Sequence, residues 1–197
     1  MAPRTAIIIY SFYQHTYKVV VAQKEGIESA GGSADIFQVQ ETLPESYILQ
    51  LGGTKNDLPI ANNDTLKAYG AFLFGIPTRF GNFPTQFKAF WDSTNELWDN
   101  GDLRGKPAGV FVSTGTLGGG QETTVISTLS TLVHHGMIFV PLGYAHPCQR
   151  RNDEVHGRSA WGAGTFAGFD GTREVSDLEL DMARTQGAEF YNITKKF

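Results

Sequence analysis

Short apolar runs alternate with helix-length segments along most of the chain. The runs that predict strands lie at residues 5–10, 71–76, 107–112 and 137–140. Residues 34–39 instead alternate apolar and polar side chains, which predicts a strand at the edge of a sheet. Five strands separated by helices predict an α/β fold, a doubly wound parallel sheet with right-handed crossovers.

The predicted helices cover residues 17–30, 83–91 and 121–135, followed by a C-terminal helix that begins at the capping box Ser176–Glu179. The inward face of that last helix would carry Leu180, Ala183, Gly187 and Phe190. The first helix contains three consecutive valines at residues 19–21, which are poor helix formers. We therefore expect burial against the sheet to hold this helix in place.

Two long segments, residues 40–65 and 143–173, show no clear periodicity. The second segment can interrupt the fifth strand, which would resume at residues 164–167. Long ordered insertions usually serve function or oligomer formation. Both segments carry apolar side chains that need covering, namely Tyr47, Leu49, Leu51, Tyr144 and Trp161.

Three loops with ligand-binding composition follow predicted strands one, three and four, at residues 11–16, 77–83 and 113–120. The carboxyl ends of parallel strands meet at one edge of a sheet, where ligands bind. The first loop offers the hydroxyls of Ser11 and Thr16, the imidazole of His15 and the free N–H groups of a helix start. It suits a phosphate, although a capped helix that binds nothing is the alternative.

The other two loops suit a flat ring with polar edges. In the second, Pro77 stiffens the turn, Gly81 can adopt a positive φ, and Thr78 and Asn82 offer short polar contacts. The third is rich in glycine but lacks both the G-x-G-x-x-G order of a Rossmann dinucleotide site and the G-K-[ST] of a P-loop. We expect close backbone approach to the edge of a ring.

Composition narrows the function classes. A net charge of -4 without a clustered basic face argues against nucleic acid as a partner. No apolar run reaches membrane-spanning length, and we expect no signal peptide before the first strand. Cys148 is the only cysteine, so neither an internal disulfide nor a cysteine-based metal cluster can form, and His156 lacks a second spaced histidine. The sequence predicts one cytoplasmic domain over residues 1–197, without a metal site.

Several motifs recur in the order found in one known family. They are Ser11-x-Tyr13-x-His15, the loop at residues 77–82, Leu97-Trp98, the loop from Ser113 to Gln121, His134-His135-Gly136 and the segment 161–165. In these motifs the chain resembles the WrbA-type NAD(P)H:quinone oxidoreductases. Its amino-acid sequence, from the N-terminal segment onward, is most similar to their fungal benzoquinone-reductase branch. The resemblance covers essentially the whole chain. It implies a flavodoxin-like fold, FMN as cofactor, NADH or NADPH as co-substrate, and a homotetramer built as a dimer of dimers.

The resemblance also implies which residues form the site. NAD(P)H would deliver a hydride to flavin N5, and a quinone would then take two electrons in the same pocket. Arg79, Trp98 and His135 would act in catalysis, and Tyr13, Phe80 and Trp98 would contact the substrates. The cofactor would be held by Ser11, Phe12, Tyr13, Gln14, His15, Thr16, Pro77, Thr78, Arg79, Phe80, Gly81, Asn82, Ser113, Thr114, Gly115, Thr116, Leu117, Gly118 and His135.

Each proposed role has a plain structural alternative. Arg79 can form a surface ion pair, Phe80 and Trp98 can pack in the core or between subunits, and His135 can be a satisfied histidine at a helix end. The sequence also leaves two other hypotheses for the function of the whole protein. One is a flavodoxin-type electron carrier, and the other is an interaction protein of the same fold that has lost the flavin.

The chain departs from the family pattern at a few positions. Gln14 stands where the family has Gly, so its bulk or restricted φ would crowd the phosphate. Leu117 lengthens the third loop by one residue, and Arg158 stands where a second Gly is usual. Asn95-Glu96 replaces a Gly-Gly pair. The segment at residues 146–153 differs from the fungal members of the family in length and in amino-acid sequence.

Overall fold

The structure, a computed structural model, describes residues 2–54 and 56–197. Its strands form one parallel sheet in the order β2-β1-β3-β4-β5, with β6 also paired to β4. This confirms the doubly wound sheet, with β2 at its edge. The strands are β1 Thr5–Ile9, β2 Ala34–Gln38, β3 Ala71–Pro77, β4 Pro107–Thr114, β5 Ile138–Phe139 and β6 Gly164–Phe166, and the helices are α1 His15–Ser29, α2 Glu45–Gln50, α3 Asn63–Ala68, α4 Thr85–Asp92, α5 Asn95–Asn100, α6 Gln121–His134 and α7 Asp177–Thr194.

Two apolar clusters cover the two faces of the sheet. Ile8 packs in one cluster with α4 and α6, whereas Ile7 and Ile9 pack in the other with α1 and α7. Successive side chains of a strand point to opposite faces, so one apolar run supplies both cores. The central strands are accordingly buried along their whole length, and only their ends are available to bind a ligand.

Helices α1 and α7 pack closely on one face. A Cβ atom on Gly26 would lie 2.0 Å from the carbonyl oxygen of Arg184, and one on Gly187 would lie 2.1 Å from that of Gln23. The expected burial of the valine-rich segment is confirmed, because Val19 and Val20 are fully buried here. The capping box is confirmed as well: Ser176 Oγ accepts a hydrogen bond from the Glu179 amide.

The fifth strand consists of two pieces, as its interrupted pattern predicted. β5 pairs with Pro107 and Ala108, near the start of β4, and β6 pairs with Val112, Ser113 and Thr114, at its end. The chain between the two pieces forms the insertion, which includes a short 3₁₀ helix at Pro147–Arg150. The loop that follows β6 therefore leaves the same edge of the sheet as the loop that follows β4.

Several predicted boundaries were wrong. Helix α1 begins at His15 rather than residue 17, so the preceding loop is shorter than expected. The segment 40–65 contains α2 and the start of α3, and the six residues of each helix are too few to show a helical period. A further six-residue helix, α5, follows α4 and carries Trp98. Within the described residues, no helix is both long and apolar enough to cross a membrane.

Candidate functional site

A cleft of ≈ 410 Å³ opens at the carboxyl edge of the sheet. Its walls come from all three predicted loops and from parts of the two long insertions, which the sequence did not place at the cleft. The predicted residues that line it are Ser11, Phe12, Tyr13, His15, Thr16, Pro77, Thr78, Arg79, Ser113, Thr114 and Gly115. The cleft thus brings together the ends of β1, β3 and β4, as their positions in the sheet require.

The N-terminus of α1 points into this cleft. Among the described residues, the N-cap residue Gln14 provides no side-chain cap, and the amides of His15 and Thr16 have no acceptor. The Tyr17 amide donates to Ser11 Oγ at 3.2 Å. Free amides and the positive end of the helix dipole favour an anion here. His15 Nε2 lies 2.7 Å from the Arg173 carbonyl oxygen, which accepts its hydrogen bond and fixes the imidazole at the side of the cleft.

The loop after β4 forms the opposite wall. Ser113 Oγ lies 2.8 Å from Thr16 Oγ1, so the end of β4 is tied directly to the start of α1. Beyond it, Gly115 has no described atom within 4 Å of where a Cβ would stand. A ligand can therefore approach the backbone here without meeting a side chain.

The loop after β3 is a tight turn that places Arg79 at the rim. Arg79 and Asn82 exchange backbone hydrogen bonds of 2.7 and 3.0 Å. Both central residues have positive φ, 55° at Phe80 and 75° at Gly81, as this turn type requires. The predicted positive φ of Gly81 is confirmed. Phe80 is strained by its φ and fully exposed, and its ring lies outside the cleft.

Residues 167–171 form a fourth wall that sequence reasoning missed, and Leu51 adds an apolar side chain at the end of α2. The sequence could have indicated this wall only by its position, because these residues directly follow the piece of strand that resumes at Gly164. Phe169 is fully exposed at the rim. The amide and hydroxyl of Thr172 donate to the Asp170 carboxylate and lower its pKa, so the wall carries a negative charge.

A buried carboxylate holds this fourth wall. Glu179 is fully buried and accepts hydrogen bonds from the Gly157 amide at 2.7 Å and the Thr165 hydroxyl at 2.8 Å. Arg173 adds an ion pair at 3.0 Å, and its guanidinium lies over the ring of Phe166. Because Arg173 also accepts from His15, the network joins the insertion to α7 and to the start of α1.

Other predicted site residues lie outside the cleft within a single chain. Leu117 and Gly118 line a second cleft on the far side of the loop after β4. His135 follows the end of α6, about 20 Å from that helix's N-terminus for 14 residues at 1.5 Å each. Trp98 lies on α5, which likewise follows a helix that runs away from the carboxyl edge. The remaining residues that do not line the cleft are Gln14, Phe80, Gly81, Asn82 and Thr116.

His135 occupies a buried pocket at the end of α6. Its Nε2 lies 2.9 Å from Thr94 Oγ1, its ring packs against Trp91, and its Nδ1 has no partner among the described residues. Burial, with a smaller contribution from His134, lowers the pKa of His135. The imidazole is therefore neutral near pH 7. His156, the histidine considered as a metal ligand, donates through Nδ1 to the Glu154 carbonyl oxygen at 2.8 Å.

Gln14 adopts the left-handed conformation, with φ 69°, at the start of α1. The left-handed conformation costs a non-glycine residue roughly 1–2 kcal/mol of conformational free energy. We expect Gln14→Gly to stabilise the protein by about this amount and to tighten the binding of a phosphate ligand such as FMN. Fluorescence titration and urea unfolding of the variant measure the two effects.

Gln14→Ala is the matched control for that variant. It removes the side-chain hydrogen bond to the Thr54 carbonyl oxygen, 3.3 Å long, but keeps the strained backbone. Equal behaviour of the alanine and glycine variants would show that the backbone strain at this position does not affect binding.

The sheet order and the cleft at its carboxyl edge define a flavodoxin-like protein. A WrbA-like flavodoxin from Agrobacterium tumefaciens superposes with a TM-score of 0.68 over 99% of both chains, at 23% sequence identity. The family model described as NADPH-dependent FMN reductase matches residues 11–149. The chain belongs to this NADPH-dependent FMN reductase family.

Two fungal relatives match over nearly their full length. The chain is 58% identical over 194 residues to the NAD(P)H quinone oxidoreductase PST1 of Candida albicans, covering 98% of each chain. It is 60% identical over 198 residues to protoplast secreted protein 2 of Saccharomyces cerevisiae, covering 99% of this chain and 100% of the relative. The similarity thus includes both long insertions.

Proposed function

We propose that this protein is an FMN-dependent NAD(P)H:quinone oxidoreductase. The observation that carries the proposal is the cleft at the start of α1, where free amides face a wall made by Ser113 and Gly115. The family membership and the names of the fungal relatives support the same activity. Bound FMN supplies the two-electron redox chemistry between NAD(P)H and a quinone.

The residues of the cleft fit FMN from one end to the other. The amides of His15 and Thr16, with the Ser11 and Thr16 hydroxyls, offer hydrogen bonds to a phosphate without a fixed cation. Thr78 and Gly115, which follow the neighbouring strands β3 and β4, line the rest of the cleft, where the ring would lie. Among the described residues, the side chain of Arg79 makes a single hydrogen bond, 3.1 Å long, to the neighbouring Thr78 carbonyl oxygen, so its guanidinium remains available to balance negative charge at the rim.

We also propose that a second subunit completes the site and that the assembly is a tetramer. Support comes from His135 and Trp98, neither of which lines the cleft of its own chain. Trp98 is 53% exposed, and the insertions expose Tyr47, Leu49 and Tyr144. Apolar surface of this kind marks interfaces. Dilution below the assembly constant should lower quinone turnover per bound FMN, as light scattering and activity assays would show.

A stopped-flow experiment distinguishes the proposed enzyme from an electron carrier and from an interaction protein of the same fold. The protein is loaded with FMN, reduced by NAD(P)H without oxygen, and mixed with 1,4-benzoquinone. We expect rapid flavin reduction followed by rapid reoxidation. Bound FMN that NAD(P)H does not reduce would favour an electron carrier, and a chain that binds no FMN would favour an interaction protein.

The cytoplasmic location stays a proposal, and it agrees with a sequence whose single cysteine, Cys148, cannot form an internal disulfide. The yeast relative carries the word secreted in its name. Fractionation of cells into cytosol, membrane and culture medium decides between the two locations.

A further inference from the structure

The turn at residues 79–82 needs support from outside its own sequence. Phe80 has φ 55°, a conformation that costs a non-glycine residue free energy. Its ring is fully exposed, so packing of the ring does not offset this cost. Strained backbone of this kind persists only where the surrounding structure fixes it. The contacts that hold the turn must therefore come from another element.

Helix α6 supplies these contacts from its first two turns. Thr124 Oγ1 donates a hydrogen bond to Thr78 Oγ1 at 2.8 Å. Ser127 Oγ donates to the Gly81 carbonyl oxygen at 3.1 Å. Thr78 Oγ1 also accepts a hydrogen bond from the Gly81 amide at 3.1 Å. Two hydroxyls of α6 thus hold the loop at two points, the residue before the turn and its central glycine.

Thr124 is fully buried and is not among the residues that line the cleft. Its hydroxyl also lies 2.6 Å from the Gly120 carbonyl oxygen, at the start of its own helix. A hydroxyl has one proton, so the two acceptors share it. The side chain of Thr124 thereby joins the first turn of α6 to the loop that follows β3.

Close packing leaves the turn little room to move against α6. A Cβ atom on Gly120 would lie 3.1 Å from Gly81 Cα, so the two backbones lie directly against each other. A Cβ atom on Gly81 would lie 2.9 Å from Thr123 Oγ1. The loop after β3 consequently takes its position from α6 as well as from the sheet.

The position of Thr78 decides where the guanidinium of Arg79 lies. The Thr78 amide donates to the Ser113 carbonyl oxygen at 2.8 Å. The Thr78 carbonyl oxygen accepts from Arg79 Nη1 at 3.1 Å. Because its amide is held by β4 and its hydroxyl by α6, Thr78 keeps this carbonyl group, and with it the guanidinium, at the rim of the cleft.

We propose that Thr124 and Ser127 are positioning residues, which hold the loop after β3 so that Arg79 stabilises the negative charge of reduced FMN. This role rests on the proposed function, which places the two-electron reduction of FMN in this cleft. A fixed cation beside the ring favours the reduced, more negative form over the oxidised form. Thr124 should therefore affect the reduction potential of the bound flavin, although its side chain lies outside the cleft.

The reduction potential of FMN bound to the protein, measured by equilibration with a reference dye, tests this role. Thr124→Val keeps the shape of the side chain and removes its hydroxyl. We expect it to weaken the binding of reduced FMN about tenfold more than that of oxidised FMN, which lowers the potential by about 30 mV. Thr124→Ser keeps the hydroxyl and should preserve the potential.

Thr128→Val is the matched control for Thr124→Val. Thr128 is also fully buried on α6, and its hydroxyl donates to the Thr124 carbonyl oxygen at 2.8 Å, within the helix. The control loses a hydrogen bond to the fourth preceding carbonyl group, as Thr124→Val does, but leaves the bond between Thr124 and Thr78 in place. It should leave the potential unchanged.

A double-mutant cycle with Arg79→Gln shows whether Thr124 acts through the guanidinium. Arg79→Gln alone should lower the potential at least as much as Thr124→Val. In the Arg79→Gln protein, Thr124→Val should change the potential much less, because the cation that Thr124 positions is gone. An undiminished shift in that protein, or equal shifts in Thr124→Val and Thr128→Val, would overturn the proposal.

Ser127→Ala provides a second test that keeps Thr124 in place. Ser127 is half-buried and alanine favours a helix, so this variant should fold even if Thr124→Val does not. It removes the hydrogen bond to the Gly81 carbonyl oxygen and should also lower the potential. Ser130→Ala, on the exposed side of the same helix, should not. Equal potentials in these two variants would contradict the role of α6.

The outcomes for the two levels of inference are separable. A protein that reduces quinones but shows equal potentials in Thr124→Val and Thr128→Val retains the proposed function and loses the positioning role. A protein that shows the shift specific to Thr124→Val but reduces no quinone retains the positioning role and loses the proposed function. A protein that binds no FMN loses both.

Discussion

Ser11→Asp should reduce FMN affinity by about 100- to 1,000-fold, whereas the apoprotein of the same variant should remain folded. Ser11 Oγ accepts from the Tyr17 amide, so a carboxylate at this position would occupy the free N-terminus of α1. Two charges about 4 Å apart at an effective dielectric constant near 20 repel by roughly 4 kcal/mol. The same charge is favourable to the helix by about 0.3–1 kcal/mol. Fluorescence titration with FMN and urea unfolding of the apoprotein measure the two effects.

Ser11→Asn controls for the size of the new side chain, since asparagine matches aspartate in shape but is neutral. We expect it to weaken FMN binding by no more than about tenfold. If the Asp and Asn variants bind FMN equally, the phosphate does not lie at the start of α1, and the placement of the cofactor in this cleft is wrong.

Glu179→Ala should lower the free energy of unfolding by about 3 kcal/mol, the lower end of the range for breaking a buried ion pair. Glu179 is fully buried, whereas Arg173 is 24% exposed and can recover part of its hydration. The variant also leaves the Gly157 amide and the Thr165 hydroxyl without their acceptor. Urea unfolding of the apoprotein measures the loss, and FMN titration reports the loosened fourth wall.

Glu189→Ala on the same helix is the control, because Glu189 is exposed. Its effect on stability should stay within about 0.5 kcal/mol. A loss below about 1 kcal/mol in Glu179→Ala would mean that the network does not hold the insertion on α7.

The sheet was predictable because its signals are local and strong. Continuous apolar runs such as residues 71–76 indicate buried strands without knowledge of their neighbours, and the loops after them inherit their place at the carboxyl edge. The wall at residues 167–171 was not predicted, because its position depends on the pairing of β6 with β4 after a long insertion. Glu179 looked like half of a capping box, and its buried partners come from distant segments.

The left-handed backbone of Gln14 shows a second limit of the sequence. The family comparison marked the position as unusual, but only the structure shows φ 69° and the bond to Thr54. His135 and Trp98 show a third limit. Their motifs suggest a shared pocket, whereas the length of α6 separates His135 from the cleft of its own chain.

The division of the fifth strand also gives the sheet a place to open. β6 holds to β4 through three paired residues, and no other strand of the described chain depends on it. Local unfolding of such an edge requires much less free energy than global unfolding, since the buried strands β1, β3 and β4 stay intact. Opening of the wall at residues 167–171 would therefore leave β1, β3 and β4 intact, but it would have to break the hydrogen bonds that tie Gly157 and Thr165 to the buried Glu179.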